Sequence, residues 1–118
     1  MRDHILRVVD TNLDEIFEIT KFMYENPELG NEEFKACQAM CEAFKKFGFE
    51  VEREFCGIPT AFKASYDSGK PGPTIGFCAE YDALPGVGHG CGHNLIATSA
   101  LLGAIALKSV LGEIGGKV

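Results

Sequence analysis

Apolar residues recur at helical intervals through the first part of the chain. Leu13, Ile16, Phe17, Ile19 and Met23 share one face, which predicts a helix over about 13–24 with Thr11 or Asn12 as N-cap. Pro27 ends it, because its ring disfavours helical geometry in the residue before it. A second helix is predicted over about 32–47, capped by Asn31. Phe34, Cys37, Met40, Cys41, Phe44 and Phe47 form its inner stripe, and Glu33, Lys35, Gln38, Glu42, Lys45 and Lys46 face water. Gly48 supplies a left-handed stop. The period then drops to two: Phe49, Val51 and Phe55 alternate with charged residues as a strand, and 60–66 reads as a second. The run Asp67-Ser68-Gly69-Lys70-Pro71-Gly72-Pro73 reads as a hairpin loop leading to a third, interior strand over 74–79. Asn94 is positioned to cap a long apolar helix reaching about Leu111, within which Gly103 permits close approach of a neighbour. Gly115-Gly116-Lys117-Val118 resembles the opening of a further strand. The pattern is α/β, a partial three-layer sheet with helices on both faces.

Composition narrows the class. A chain of 118 residues, 46% hydrophobic and 24% charged, has the balance of an ordinary globular domain. Seventeen acids against eleven bases give a net charge of −6 with no basic run, so neither nucleic acid nor an anionic membrane surface is an expected partner. The longest uncharged stretch, Leu95 to Leu107, is shorter than the ~20 residues of a membrane span and reads as a buried helix. Five irregularly spaced cysteines and a charged, leaderless start point to a reducing, cytoplasmic compartment. Cys37 and Cys41, one helical turn apart, read as core; Cys56 and Cys78 carry no functional assignment.

Candidate chemistry lies between Glu80 and Asn94. His89, Cys91 and His93 alternate with Gly90 and Gly92, and in an extended backbone residues two apart point the same way. A thiolate and imidazoles suit a borderline-soft dication such as zinc. Glu80 and Asp82 follow the third predicted strand, where α/β proteins gather ligands. Taken singly, each of these residues also fits a solvated loop side chain or a helix cap. Two rival readings use the same loop. A nucleotide-binding turn fits the glycines at 86, 88, 90 and 92, but their spacing is not that of a phosphate loop and no lysine follows. Thiol catalysis would make Cys91 a nucleophile at a helix N-terminus with a histidine as base.

The run Phe77-Cys78-Ala79-Glu80-Tyr81-Asp82-Ala83-Leu84-Pro85, followed by Gly88-His89-Gly90-Cys91-Gly92-His93-Asn94, resembles the zinc-type amidohydrolases and metallopeptidases, the family of aminoacylases, carboxypeptidase G and hippurate hydrolase. Asn26-Pro27-Glu28-Leu29-Gly30 with Glu33 is similar to a signature near that family's N-terminus. Asn94, and the run Glu80 to Gly86, look more like its aminobenzoyl-glutamate hydrolase and dipeptidase branch. The resemblance implies Cys91 and His93 as metal ligands and Asp82 as a supporting catalytic acid. It leaves Glu80 and His89 nearby without making either a direct ligand.

It also implies that residues 1–118 are the N-terminal portion of a metallopeptidase catalytic domain, without the lid domain that mediates dimerisation. The family's adjacent glutamates, one a general base and one a ligand, follow the next strand; Glu32 and Glu33 are a different pair, suited to the first turn of a helix. The whole enzyme would use two divalent ions, zinc or manganese, to hydrolyse N-acyl amino acids, aminobenzoyl-glutamate or small dipeptides. This chain alone is expected to be silent, since a catalytic zinc site needs three protein ligands and a base. The alternative is a metal-binding or partner-binding module without chemistry. The apolar third helix favours it in one respect, because such a helix expects more cover and otherwise oligomerises or exposes a patch.

Overall fold

The computed structural model describes residues 1–118. Its first helix, α1, spans Arg2–Glu25 and starts well before the predicted Leu13. Val8 already packs on the core, and Asn12, rather than capping, donates from Nδ2 to the Val8 carbonyl at 2.7 Å inside the helix. Asn26 closes it, its Nδ2 donating to the Phe22 carbonyl at 2.9 Å just before Pro27. The buried stripe is narrower than the sequence suggests: Ile16, Thr20 and Met23 are buried, whereas Leu13 and Phe17 stay about half exposed.

Helix α2 spans Phe34–Lys46 and buries Ala36, Cys37, Met40, Cys41, Ala43 and Phe44. Phe34 does not join that stripe; at the first helical position it is 57% exposed. Asn31 is not the cap either, since it sits in a left-handed turn at φ 67°. Glu28 takes that role from outside the helix: its Oε2 accepts from Lys35 N at 3.0 Å and its Oε1 from Ala36 N at 2.8 Å. Two amides that a helix start leaves unpaired are thereby satisfied by one carboxylate. Gly48 ends α2 with φ 79°, as predicted.

Strands β1, Glu50–Arg53, and β2, Phe62–Ser65, pair antiparallel with Glu50 opposite Ser65 and Arg53 opposite Phe62. A 3-10 turn at Phe55–Gly57 lies between them. Aromatic rings join helix to sheet: Phe44 meets Phe49 edge-on at 5.0 Å and Phe62 at 5.6 Å, and Phe62 stacks on Tyr81 at 6.1 Å.

The α/β class holds, but the predicted hairpin and third strand do not form. The last residues of the chain lie where that hairpin pairing would be. Tyr66 and Val118 exchange both backbone bonds at 2.8 and 3.0 Å, while Lys117 N donates to Pro73 O at 2.9 Å and Ile75 N to Lys117 O at 3.0 Å. Residues 74–79 therefore make one bridge, Thr74 to Lys117, instead of a ladder. The approach requires glycine: a Cβ on Gly115 would stand 2.2 Å from Pro71 O, and one on Gly116 2.4 Å from Pro73 O.

Helix α3, His93–Ile114, is 22 residues long. By length and composition it is apolar enough to cross a bilayer, with mean hydropathy 1.8, yet here it packs along α1 and buries ten residues. Gly103 lies under the Phe77 ring, where a Cβ would come within 2.8 Å of the ring edge. A polar seam crosses the α1–α3 contact. Thr20 and Thr98 share a hydrogen bond at 2.7 Å, Thr98 Oγ1 donates to Asn94 O at 2.9 Å, and Asn94 Nδ2 donates to Thr20 O at 3.2 Å.

Two outcomes follow. Thr98→Val leaves the buried Thr20 hydroxyl only a 3.5 Å bond to Ile16 O, and denaturant unfolding should show a loss of about 1–3 kcal/mol. Burial and the neighbouring Cys37 push the Cys41 thiol up from 9.0 to about 11. The unfolded thiol ionises first, so this contribution is intact below pH 9.0 and is lost as pH rises from there toward about 11. Unfolding curves across that window should fall less steeply for Cys41→Ala, and native alkylation should label exposed Cys56, Cys78 and Cys91 while sparing Cys37 and Cys41.

Candidate metal centre

The loop before α3 is held at both ends. Tyr81 is buried, and its hydroxyl donates to the Thr60 carbonyl. Ala83 N donates to Glu28 O at 2.7 Å, so the residue that caps α2 also pins this loop. Leu84 and Gly88 then close a turn through bonds of 2.9 and 3.1 Å, with Gly86 and Gly88 at positive φ. Residues 89–91 bend and turn instead of running extended, and Gly92 enters α3 at φ 82°. The three alternating side chains consequently differ in setting: His89 is buried, Cys91 is exposed and His93 is partly buried.

His93 opens α3, so the cap position falls on Gly92 and not on Asn94. Its ring lies between two acids. Nδ1 is 2.8 Å from Asp82 Oδ1 and 3.2 Å from the Asp82 carbonyl, and Nε2 is 3.2 Å from Glu80 Oε2. Two oxygens of Asp82 meet Nδ1, whereas one oxygen of the more exposed Glu80 meets Nε2. In the neutral ring the proton therefore belongs on Nδ1, leaving the Nε2 lone pair on the side of the Glu80 carboxylate. The positive end of the α3 dipole adds to the attraction for both acids.

His89 Nδ1 is buried without a hydrogen-bond partner. Burial, and next the nearby His93, lower the pKa of this ring from 6.5, against smaller opposing effects of Asp82 and the Met23 backbone. The structure thus brings Glu80, Asp82 and His93 together, buries His89 within electrostatic reach of His93 and Asp82, and leaves Cys91 at the surface. No three or more His, Cys, Asp and Glu side chains converge at ligand spacing. Reading the sequence alone missed Glu28, Thr20 and Thr98 as supports. Glu28 stood in a noticed motif, but nothing local signals a carboxylate reaching seven residues along the chain.

Relatives sharpen this geometry. The chain is 37% identical over 115 residues to a p-aminobenzoyl-glutamate hydrolase polypeptide of Escherichia coli, covering 83% of this chain and 24% of that protein. It is 34% identical to Xaa-Arg dipeptidase of Homo sapiens, over 92% of this chain and 27% of that protein. The crystal structure of a protein from methicillin-resistant Staphylococcus aureus, assigned as an aminohydrolase, superposes over 100% of this chain and 33% of its own, with TM-score 0.87 and 29% identity. The chain belongs to this amidohydrolase and peptidase family. No family model matches it. This family member spans between 24% and 30% of the length of the curated relatives it matches. Its loop of glycines, acids and histidines is thus carried on an aminohydrolase fold.

Nitrogen-15 spectra should report His93 of the neutral ring protonated on Nδ1. Asp82→Ala should move population to the Nε2 tautomer, and an unchanged Nδ1 signal would contradict the anchoring.

Proposed function

We propose that the chain forms part of a metal-dependent amidohydrolase or dipeptidase, with Cys91 and His93 as metal donors and Asp82 as the acid that orients His93. The 2.8 Å bond between His93 Nδ1 and Asp82 Oδ1 is the observation that carries this reading. Metal-binding histidines are commonly held through their other nitrogen by a carboxylate, which fixes the ring and its tautomer. The donor types suit a dication: an exposed thiol, the His93 imidazole, and the Glu80 carboxylate beside its Nε2. Thiol and imidazole suit zinc, and the acids also suit manganese. Such an ion would polarise a scissile carbonyl and acidify a water molecule.

The chain's own residues have separate parts. Asp82 keeps the proton on Nδ1. Glu80 adds negative charge beside Nε2, favouring a cation there. His89, buried and resistant to protonation, adds no competing positive charge. Glu33 is buried at the start of α2, and with Glu32 is not the family's base pair. With no such base among these residues, the chain alone is silent. The substrates we propose for the complete enzyme are N-acyl amino acids, aminobenzoyl-glutamate or small dipeptides, matching the names of the E. coli and human relatives and of hippurate hydrolase from Campylobacter jejuni. Five unpaired thiols suit a reducing cytoplasm.

Cobalt titration tests the donors. A thiolate charge-transfer band should appear and be absent in Cys91→Ser, and Asp82→Ala should weaken cobalt binding by about 10–100-fold. No band in the parent chain would overturn the metal assignment. With zinc or manganese added, aminobenzoyl-glutamate should remain intact; hydrolysis that Cys91→Ser abolishes would overturn the silent reading.

A further inference from the structure

Cys37 and Cys41 lie one turn apart on α2, and each is 1% exposed. Side chains four apart on a helix share a face without having to meet. These two converge, Sγ to Sγ, at 3.9 Å. Two thiolates on one tetrahedral ion, with metal–sulfur bonds of about 2.3 Å, stand roughly 3.8 Å apart. The helix therefore holds the pair at chelating separation before any ion arrives.

A third donor is close by. Tyr81 belongs to the same buried cluster, and its hydroxyl lies within hydrogen-bonding reach of Cys37. The hydroxyl proton goes to the Thr60 carbonyl, which leaves lone pairs on the oxygen for another partner. Glu33, itself buried, is within electrostatic reach of Tyr81 and adds negative charge. This cluster shares no side chain with the set formed by Glu80, Asp82, Cys91 and His93.

The geometry points to a buried metal site in the core: Cys37 and Cys41 chelate one thiophilic dication of the zinc–cadmium class, with the Tyr81 hydroxyl as a neutral third donor. Both thiols release their protons to solvent as two metal–sulfur bonds form, and no electron is transferred. A dication with two thiolates is a neutral unit, and buried charge is tolerated when it is paired in this way. Without an ion, burial and then Cys37 oppose ionisation of Cys41, and exposed Arg53 and Lys45 offset them only in part. Coordination reverses that balance, since a metal-bound thiol is deprotonated outright. Entry requires local opening of α2. The site does not depend on the metal assignment at Cys91 and His93.

The probe is cadmium alone, titrated into the full chain carrying Cys56→Ser, Cys78→Ser and Cys91→Ser, all at exposed positions, which leaves Cys37 and Cys41 as its thiols. A thiolate-to-cadmium absorption band should saturate at one ion per chain, X-ray absorption should count two sulfur neighbours, and the melting temperature should rise. Cys41→Ala in this background should lose the band. Tyr81→Phe should keep both sulfurs and bind at least ~10-fold more weakly. If Cys41→Ala fails to fold, the sulfur count on the intact pair decides alone. No band, one sulfur per ion, one ion shared between two chains, or equal binding by Tyr81→Phe would overturn the proposal. Loss of helical circular dichroism on binding would also overturn it, by assigning capture to the unfolded dithiol.

Discussion

The hydrogen-bonded seam between Thr20, Thr98 and Asn94 sets the register of the molecule. Helix α3 is apolar along most of its length, and its inner face of Ala97, Leu101 and Ala104 offers little to distinguish one sliding position on α1 from the next. Apolar contact is non-directional. The seam is directional. A shift of α3 by one residue would strand buried hydroxyl and amide groups, each at a cost of about 1–3 kcal/mol. His93 is the first residue of that helix. Its placement against Asp82 is therefore fixed from within the helix pair, not by the flexible glycines before it.

The electrostatics of the site follow from this placement. Two carboxylates flank one imidazole, at the end of a helix whose dipole is positive. A second imidazole, that of His89, is buried within electrostatic reach of the first. The local balance favours a cation beyond the protein's own groups, consistent with an acidic chain overall.

Much of this was legible in the sequence. Regular patterns with strong periodicity, such as the Cys37–Met40–Cys41–Phe44 stripe and the left-handed stop at Gly48, form as their spacing predicts. The Glu80-Tyr81-Asp82 and Gly-His-Gly-Cys-Gly-His runs singled out the loop in which the structure brings Glu80, Asp82 and His93 together. Where the reading failed, the deciding partner was distant. The helix cap at α2 comes from Glu28 instead of adjacent Asn31. The strand expected at 74–79 lacks a ladder because its neighbour in the sheet is the terminal Lys117, far along the chain, and not the preceding strand. Alternation alone suggested that His89, Cys91 and His93 share a side, but that holds only in extended backbone, and Gly92 is left-handed.

Glu28 has two attachments that face different ways. Its carboxylate holds the start of α2 and its carbonyl holds Ala83, the residue next to Asp82. Tilting of α2 on the core would pull through a single residue on the strand of backbone that carries the acid, and so on the imidazole it grips. The chemistry of the loop is mechanically tied to a helix that contributes no atom to it.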